Sequence, residues 1–533
     1  MKRYITLALS VLMVLNSCSQ MLDIYPRSAI STDGVTEKDL SALRYGVYSA
    51  MQNKPGSTGH ICFDVLGGDI TQKNYNPIDV YNSYMKTLGS NVTGQWNNFY
   101  NELYHVNLLL ATVEKAGIEA NKIIYGEAHY FRAMIYMNLV TRWGGVPILR
   151  VNTTDRVARD TVEDCWKFIN EELQLAIDNL EPSTDMYMAS KEAAQALAAR
   201  AYLYQGNMKK AAKLAEDLIT SGKYALEKDF SKIFGYGRKA NSETIFAFNM
   251  DDTETSIKLG SEYFTYEYVN KGSGNYFPTK TIIDRFESQD KRLPVTIVTV
   301  GTDKCLGKYP GGQAYTDPII VSRIGEVYLI SAEAQGFPDG CERLNQLRRM
   351  RGLSDSTASS EAELKEAVLQ ERRLELIGEN LIWYDYIRQG KAVERLGITK
   401  TQTLFPIPEG EISHAQTRSH APPAGIPRLG VRRVLPFRRP QLFHGSSRLG
   451  QPPHARLGLQ PRPAGLRSVD RRGEGRRRAL RRSGLQAPRR LCQLADRIWR
   501  LQCEEYAVEG WQRRCGTRIH RCLPRGRNEG RTL

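Results

Sequence analysis

From Glu37 to Gly410 apolar residues return every three or four positions, the interval that sets them along one side of an α-helix. The pattern is clearest from Ser190 to Gly222. There Ala194, Leu197, Ala198 and Ala201 form one stripe, Gly206-Asn207 interrupts it, and Ala211, Ala215, Leu218 and Ile219 resume it. Such a break predicts two antiparallel helices, and small alanines on the facing stripes let them approach closely, as in a tetratricopeptide-like unit. Helices are also predicted over Asn98–Lys115 and Ala128–Arg142, with a further pair over Arg323–Gln335 and Gly340–Arg351. Ser360 followed three residues later by Glu363 is a capping box, opening a helix through Leu364, Ala367 and Leu374.

Alternating patterns are scarce. Glu243–Phe248 and Leu293–Val300 read as short strands, and the segment between them is rich in Tyr, Gly and Asn, as binding loops are. The expected fold class is therefore mainly α: tetratricopeptide-like helix pairs with a loop-rich irregular part and a few short strands.

Charge changes the picture near Gly410. The 533 residues carry a formal +16, yet residues 411–533 hold 28 Arg, no Lys and 8 acidic residues, while residues 1–410 hold 46 basic and 50 acidic residues. Eleven of the 23 prolines also fall in those last 123 residues. Arginine at that density suggests phosphate binding. Arginine with no lysine, one Tyr and no periodic apolar face argues against a nucleic-acid-binding domain, and no nucleic-acid partner is expected. Such a composition is what an out-of-frame reading of GC-rich DNA gives. Residues 413–533 are accordingly expected to be a frameshifted Arg/Pro-rich tail and not a native domain.

The other end carries an address. Lys2 and Arg3 precede an apolar run from Ile5 to Leu15, the layout of a secretory signal and too short for a membrane span. Leu15-Asn16-Ser17-Cys18 resembles a bacterial lipobox, so residues 1–17 are expected to be a lipoprotein signal peptide and Cys18 the site of acylation. Cys62, Cys165, Cys305 and Cys341 are too widely spaced for a disulfide scaffold, so a hydrophobic core must hold residues 18–412 together.

Several blocks stand in order along the chain: WNNFYNELYHVNLLL from Trp96, GEAHYFRAMIYMNLVTRWGGVPIL from Gly126, RIGEVYLISAEA from Arg323, LNQLRRMRGL from Leu344, ERRLELIGENLIWYDYIRQGK from Glu371 and LFPIPEGEI ending at Ile412. Together they resemble the SusD/RagB family of outer-membrane nutrient-binding lipoproteins. The resemblance implies an outer-membrane, cell-surface, lipid-anchored protein that binds glycans, or in some members peptides. It also implies a partner, a SusC-like TonB-dependent outer-membrane transporter. In the family the charged block from Glu371 looks structural, its residues pairing with one another along one helix, and Arg132 and Trp143 fix helix packing.

No catalytic motif appears in residues 1–410. His60, His105 and His129 are the only histidines there, and H-E-x-x-H, G-x-S-x-G and phosphate-binding glycine loops are absent. Carboxylate pairs such as Asp69 with Asp79, or Asp251 with Asp252, are the remote glycosidase alternative. An enzyme is not expected, nor a metal centre or cofactor, with a structural calcium left open. Sugar recognition needs flat aromatic faces beside amides or carboxylates, which the loops Gly67–Tyr84 and Ser261–Phe277 supply. The candidate ligand contacts are Trp96, Tyr75, Tyr81, Tyr263, Tyr266 and Tyr276.

Overall fold

The computed structural model describes residues 35–408, apart from 87–89, 154, 156, 238–239 and 251–256. The signal segment, Cys18, Asp251, Asp252 and the tail from 413 lie outside the described residues.

Periodicity becomes a run of helices: α1 (Leu40–Asn53), α2 (Gly56–Leu66), α3 (Pro77–Tyr84), α4 (Ser90–Ala116), α5 (Lys122–Trp143) and α6 (Val162–Asn179), with α1 packed on α4, α4 on α5 and α5 on α6. The predicted hairpin is α7 (Lys191–Tyr204) and α8 (Met208–Thr220), turned at Gly206 with φ +74° and capped where Ser190 and Asn207 accept backbone N–H bonds. A second pair, α9 (Ile324–Gln335) and α10 (Gly340–Met350), stacks on α8, followed by α11 (Glu361–Leu376) and α12 (Ile382–Arg388). Ala194, Ala198 and Ala201 of α7 and Ala211 and Ala215 of α8 are buried, and the two helices pack on each other, as close tetratricopeptide-like packing requires. At α11 the Ser360 side chain accepts from Glu363 N at 3.3 Å, but Glu363 reaches back to Ser359, one residue earlier than a capping box predicts.

Between the two helix pairs the chain leaves the stack. Short antiparallel ladders form from it, one of them with an earlier strand between α2 and α3: β1 (Ile70–Gln72) with β3 (Tyr276–Pro278), β2 (Thr244–Phe248) with β6 (Ile319–Arg323), and the hairpin β4 (Ile297–Val300) with β5 (Asp303–Leu306). The predicted strand over Leu293–Val300 begins instead as a helical turn, Leu293–Thr296, because Pro294 suits a first helical turn and has no N–H for a ladder. One continuous core runs from Leu40 to Phe405, and a small separate cluster of Phe264, Phe277, Val300 and Cys305 supports the loops.

The charged block from Glu371 is structural, but among the described residues its ion-pair partners lie on other elements and not along its own helix. Glu375 accepts from Arg292 at 3.0 Å, Arg323 at 2.5 Å and Arg351 at 2.7 Å; Glu379 pairs with Lys308 and Arg323; Arg372 pairs with Asp385 at 2.7 Å and Arg373 with Asp69. Burial alone would raise the Glu375 carboxyl, yet Arg351, Arg323 and Arg292 hold it well below the usual carboxylate range. Arg132 binds Glu172 at 2.6 Å and Asn107 at 3.2 Å, tying α4, α5 and α6, and Trp143 meets Trp96 edge to face at 5.1 Å.

The two ends of the fold close on each other. Asp64 accepts from Gly378 N at 2.9 Å and Asn380 N at 2.7 Å, and burial pushes its carboxyl up to about 7 despite both bonds. Phe405 N donates to Arg142 O at 2.6 Å, and the Trp143 indole donates to Pro406 O at 3.2 Å.

Candidate functional site

Three loops converge on Pro310. Its carbonyl accepts from the Tyr268 hydroxyl at 3.2 Å and from the Asn270 amide at 2.9 Å, and Gly235 lies against its ring. Gln313 N donates to the carbonyls of Asn270 and Lys271, both at 3.0 Å, while the buried Asp317 carboxylate accepts from Gly311 N at 2.9 Å. This weave needs glycine at 312: its φ is +58°, and a Cβ there would sit 2.3 Å from the Lys271 carbonyl. Loops 234–237, 264–275 and 307–317 are thereby fixed to one another, with Phe264 stacked on Tyr268 at 3.7 Å underneath.

On this base Tyr236 and Tyr315 stack with ring centroids 4.4 Å apart and planes 12° from parallel, 37% and 43% exposed. Each ring covers one face of the other, and both residues remain open to solvent. Lys271 stands 4.6 Å over the ring of Tyr266, which is 69% exposed, and donates to its hydroxyl at 3.0 Å. Flat aromatic surface, an exposed amide at Gln313 and an ammonium at Lys271 thus share one rigid group of loops.

Residues 20–203 match the SusD-like family profile described as starch-binding and associating with the outer membrane, and residues 299–403 match the SusD family profile. The chain belongs to the SusD/RagB family. The SusD-like protein P38 of Formosa agariphila is 23% identical over 474 residues, covering 74% of this chain and 93% of that one. Among solved structures, a laminarin-binding SusD-like protein superposes with a TM-score of 0.61 at 21% identity, over 72% of this chain and 98% of the other. Surface glycan-binding protein A of Bacteroides thetaiotaomicron, solved with laminarihexaose, gives a TM-score of 0.62 at 19% identity with the same coverages. The mainly helical SusD-like fold is thus the one expected.

Both SusD matches stop short of residues 204–298, the stretch that carries Tyr236 and Tyr266. The unmatched stretch also takes in α8 and β2.

Four of the six expected contacts require correction, because the SusD-like fold uses them as core. Trp96 packs between Tyr100 and Trp143; Tyr81 donates to the Gln402 carbonyl; Tyr276 and Tyr84 share a hydroxyl–hydroxyl bond at 2.5 Å; Tyr263 stacks on Tyr309 at 5.7 Å. None of these four rings is more than 6% exposed, so none offers a face to a sugar. Tyr75 and Tyr266 remain at the surface. Tyr236 and Tyr315 were missed, since each is a lone tyrosine in a Gly-containing loop, GYG and GGQAY, and not part of a Tyr-rich run.

Of the expected carboxylate pairs, Asp251 and Asp252 lie outside the described residues, and Asp69 and Asp79 sit in different surroundings. Asp69 is buried against Arg373, whereas Asp79 is exposed and accepts the Asn76 amide at the start of α3. Among the described residues no three His, Cys, Asp or Glu side chains are grouped to hold a metal ion, and no helix is long and apolar enough to cross a membrane. A cavity of about 120 Å³ is lined by Glu102, both of whose carboxyl oxygens lack a hydrogen-bond partner, beside His60, Met134, Met137 and Thr141. Burial raises that carboxyl well above its ordinary value and lowers the His60 imidazole to about 4.

Proposed function

We propose that this SusD/RagB chain captures glycans at the outer-membrane surface, anchored through acylated Cys18, and passes them to a SusC-like TonB-dependent transporter without chemistry of its own. The observation that carries the reading is the exposed, near-parallel Tyr236–Tyr315 pair on loops locked together at Pro310. A pyranose presents a C–H face that packs on such a ring, and a rigid aromatic loses little entropy on binding. The names of the laminarin-binding and laminarihexaose-bound neighbours support a glycan over a peptide. No cofactor takes part in this scheme.

A glycan array and a peptide array probed with the full chain test it. Binding to one glycan class is the expected result; binding confined to peptides would replace the reading with peptide capture. Membrane fractionation with lipid labelling tests the anchor: Cys18→Ala is expected to release the protein, and a variant still held in the membrane would refute acylation at Cys18.

A further inference from the structure

Beside β1 lies a cleft of about 280 Å³ that the aromatic surface does not use. Its charged lining consists of Arg285, Arg373 and Arg395, with no carboxylate. Arg373 is neutralised by Asp69 beneath it, and Arg395 shares the single carboxylate of Glu366 with Lys391. Arg285 is exposed, and its guanidinium has no hydrogen-bond or ion-pair partner among the described residues. The nearest acid on its own turn, Asp284, is engaged by Lys280 at 2.5 Å. The cleft therefore carries a surplus of positive charge with one fork of donors unspent. Apolar atoms of Ile78 and Leu396 line the remainder, and the Tyr386 phenol, which burial holds un-ionised, adds a polar edge.

We infer that this cleft binds the anionic group of an acidic sugar, a uronate carboxylate or a sulfate ester, and so sets the charge class of the glycan that the chain captures. This rests on the capture reading above. A planar guanidinium offers two parallel N–H donors to either group, and the unspent fork of Arg285, in a positively charged pocket near the lower end of small-ligand sites, about 300 Å³, suits one terminal acidic residue. The apolar wall would meet the ring of the same sugar.

Isothermal titration of the full chain at physiological salt decides the matter, with trigalacturonate, a chondroitin sulfate tetrasaccharide, neutral laminarihexaose and sodium sulfate as probes. The Arg-rich tail is common to every variant, so the comparison isolates the cleft. At least one of the two acidic oligosaccharides is expected to bind, Arg285→Ala to weaken it about tenfold or more, and Arg285→Lys to restore part of the loss. Arg150→Ala, an exposed arginine outside the cleft, should change nothing. Equal affinity in wild type and Arg285→Ala would overturn the inference. Binding of laminarihexaose with neither acidic sugar, or of free sulfate with no acidic sugar, would overturn it while leaving glycan capture intact. No binding to any sugar would remove both.

Discussion

At the scale of single residues, what matters is which tyrosines face water. Tyr236→Ala and Tyr315→Ala should each weaken glycan binding by about 1 kcal/mol, roughly fivefold, with the melting temperature held. Tyr263→Ala should instead cost about 3–5 kcal/mol of stability, because that ring is fully buried against Tyr309. Calorimetry beside thermal melts separates the two outcomes, and unchanged affinity in both surface variants would place the site elsewhere. The sequence showed that these loops are aromatic but not which rings point inward, since an irregular loop has no period from which to read a face. Glu102 supplies a second test. Its carboxyl is neutral in the fold and titrates near 4.3 when unfolded, so its contribution is complete below that value and is lost as pH rises toward its higher folded value. Within that window wild type should lose up to about 1.4 kcal/mol per pH unit relative to Glu102→Gln. Melting curves from pH 5 to 9 that stay parallel for the two proteins would show that Glu102 is not held neutral.

Among the elements, the helices were the most legible part. Stripes of Ala and Leu gave α7 and α8 and the break between them, because helix faces repeat. The ladder of β1 with β3 was not legible: three residues on each side are too short to show alternation, and Ile70 pairs with the distant Pro278. The charges of α11 showed the limit of local reading, for helical spacing allowed pairs within the helix while the fold sends Glu371, Arg372, Arg373 and Glu375 to other elements. Among the described residues five cations (Arg292, Lys308, Arg323, Arg348 and Arg351) thereby meet six anions (Glu243, Glu287, Asp290, Glu371, Glu375 and Glu379) in one network. Glu375→Ala leaves three guanidinium groups short of their shared acceptor and should cost about 3–5 kcal/mol, measured by denaturant unfolding. A loss under 1 kcal/mol would mean that water or neighbouring carboxylates replace Glu375.

For the whole molecule, we propose that residues 413–533 add nothing to capture. A chain ending at Ile412 should melt within a few degrees of the full chain and bind the same glycan, whereas one ending at Leu404 loses the Phe405 and Pro406 contacts and should be less stable by about 3–5 kcal/mol. Equal melting of the two shortened chains would show that this closure is dispensable. The same closure sets an order of events in time. Asp64 waits for Gly378 and Asn380, Asp69 for Arg373, and the end of α5 for Phe405 and Pro406. Pairings so distant along the chain form slowly, because the loop must close before any contact rewards it. The contacts of Asp64, Asp69 and the end of α5 therefore form only once nearly the whole body has been made, so the finished fold is out of reach of a chain still being made or threaded across a membrane.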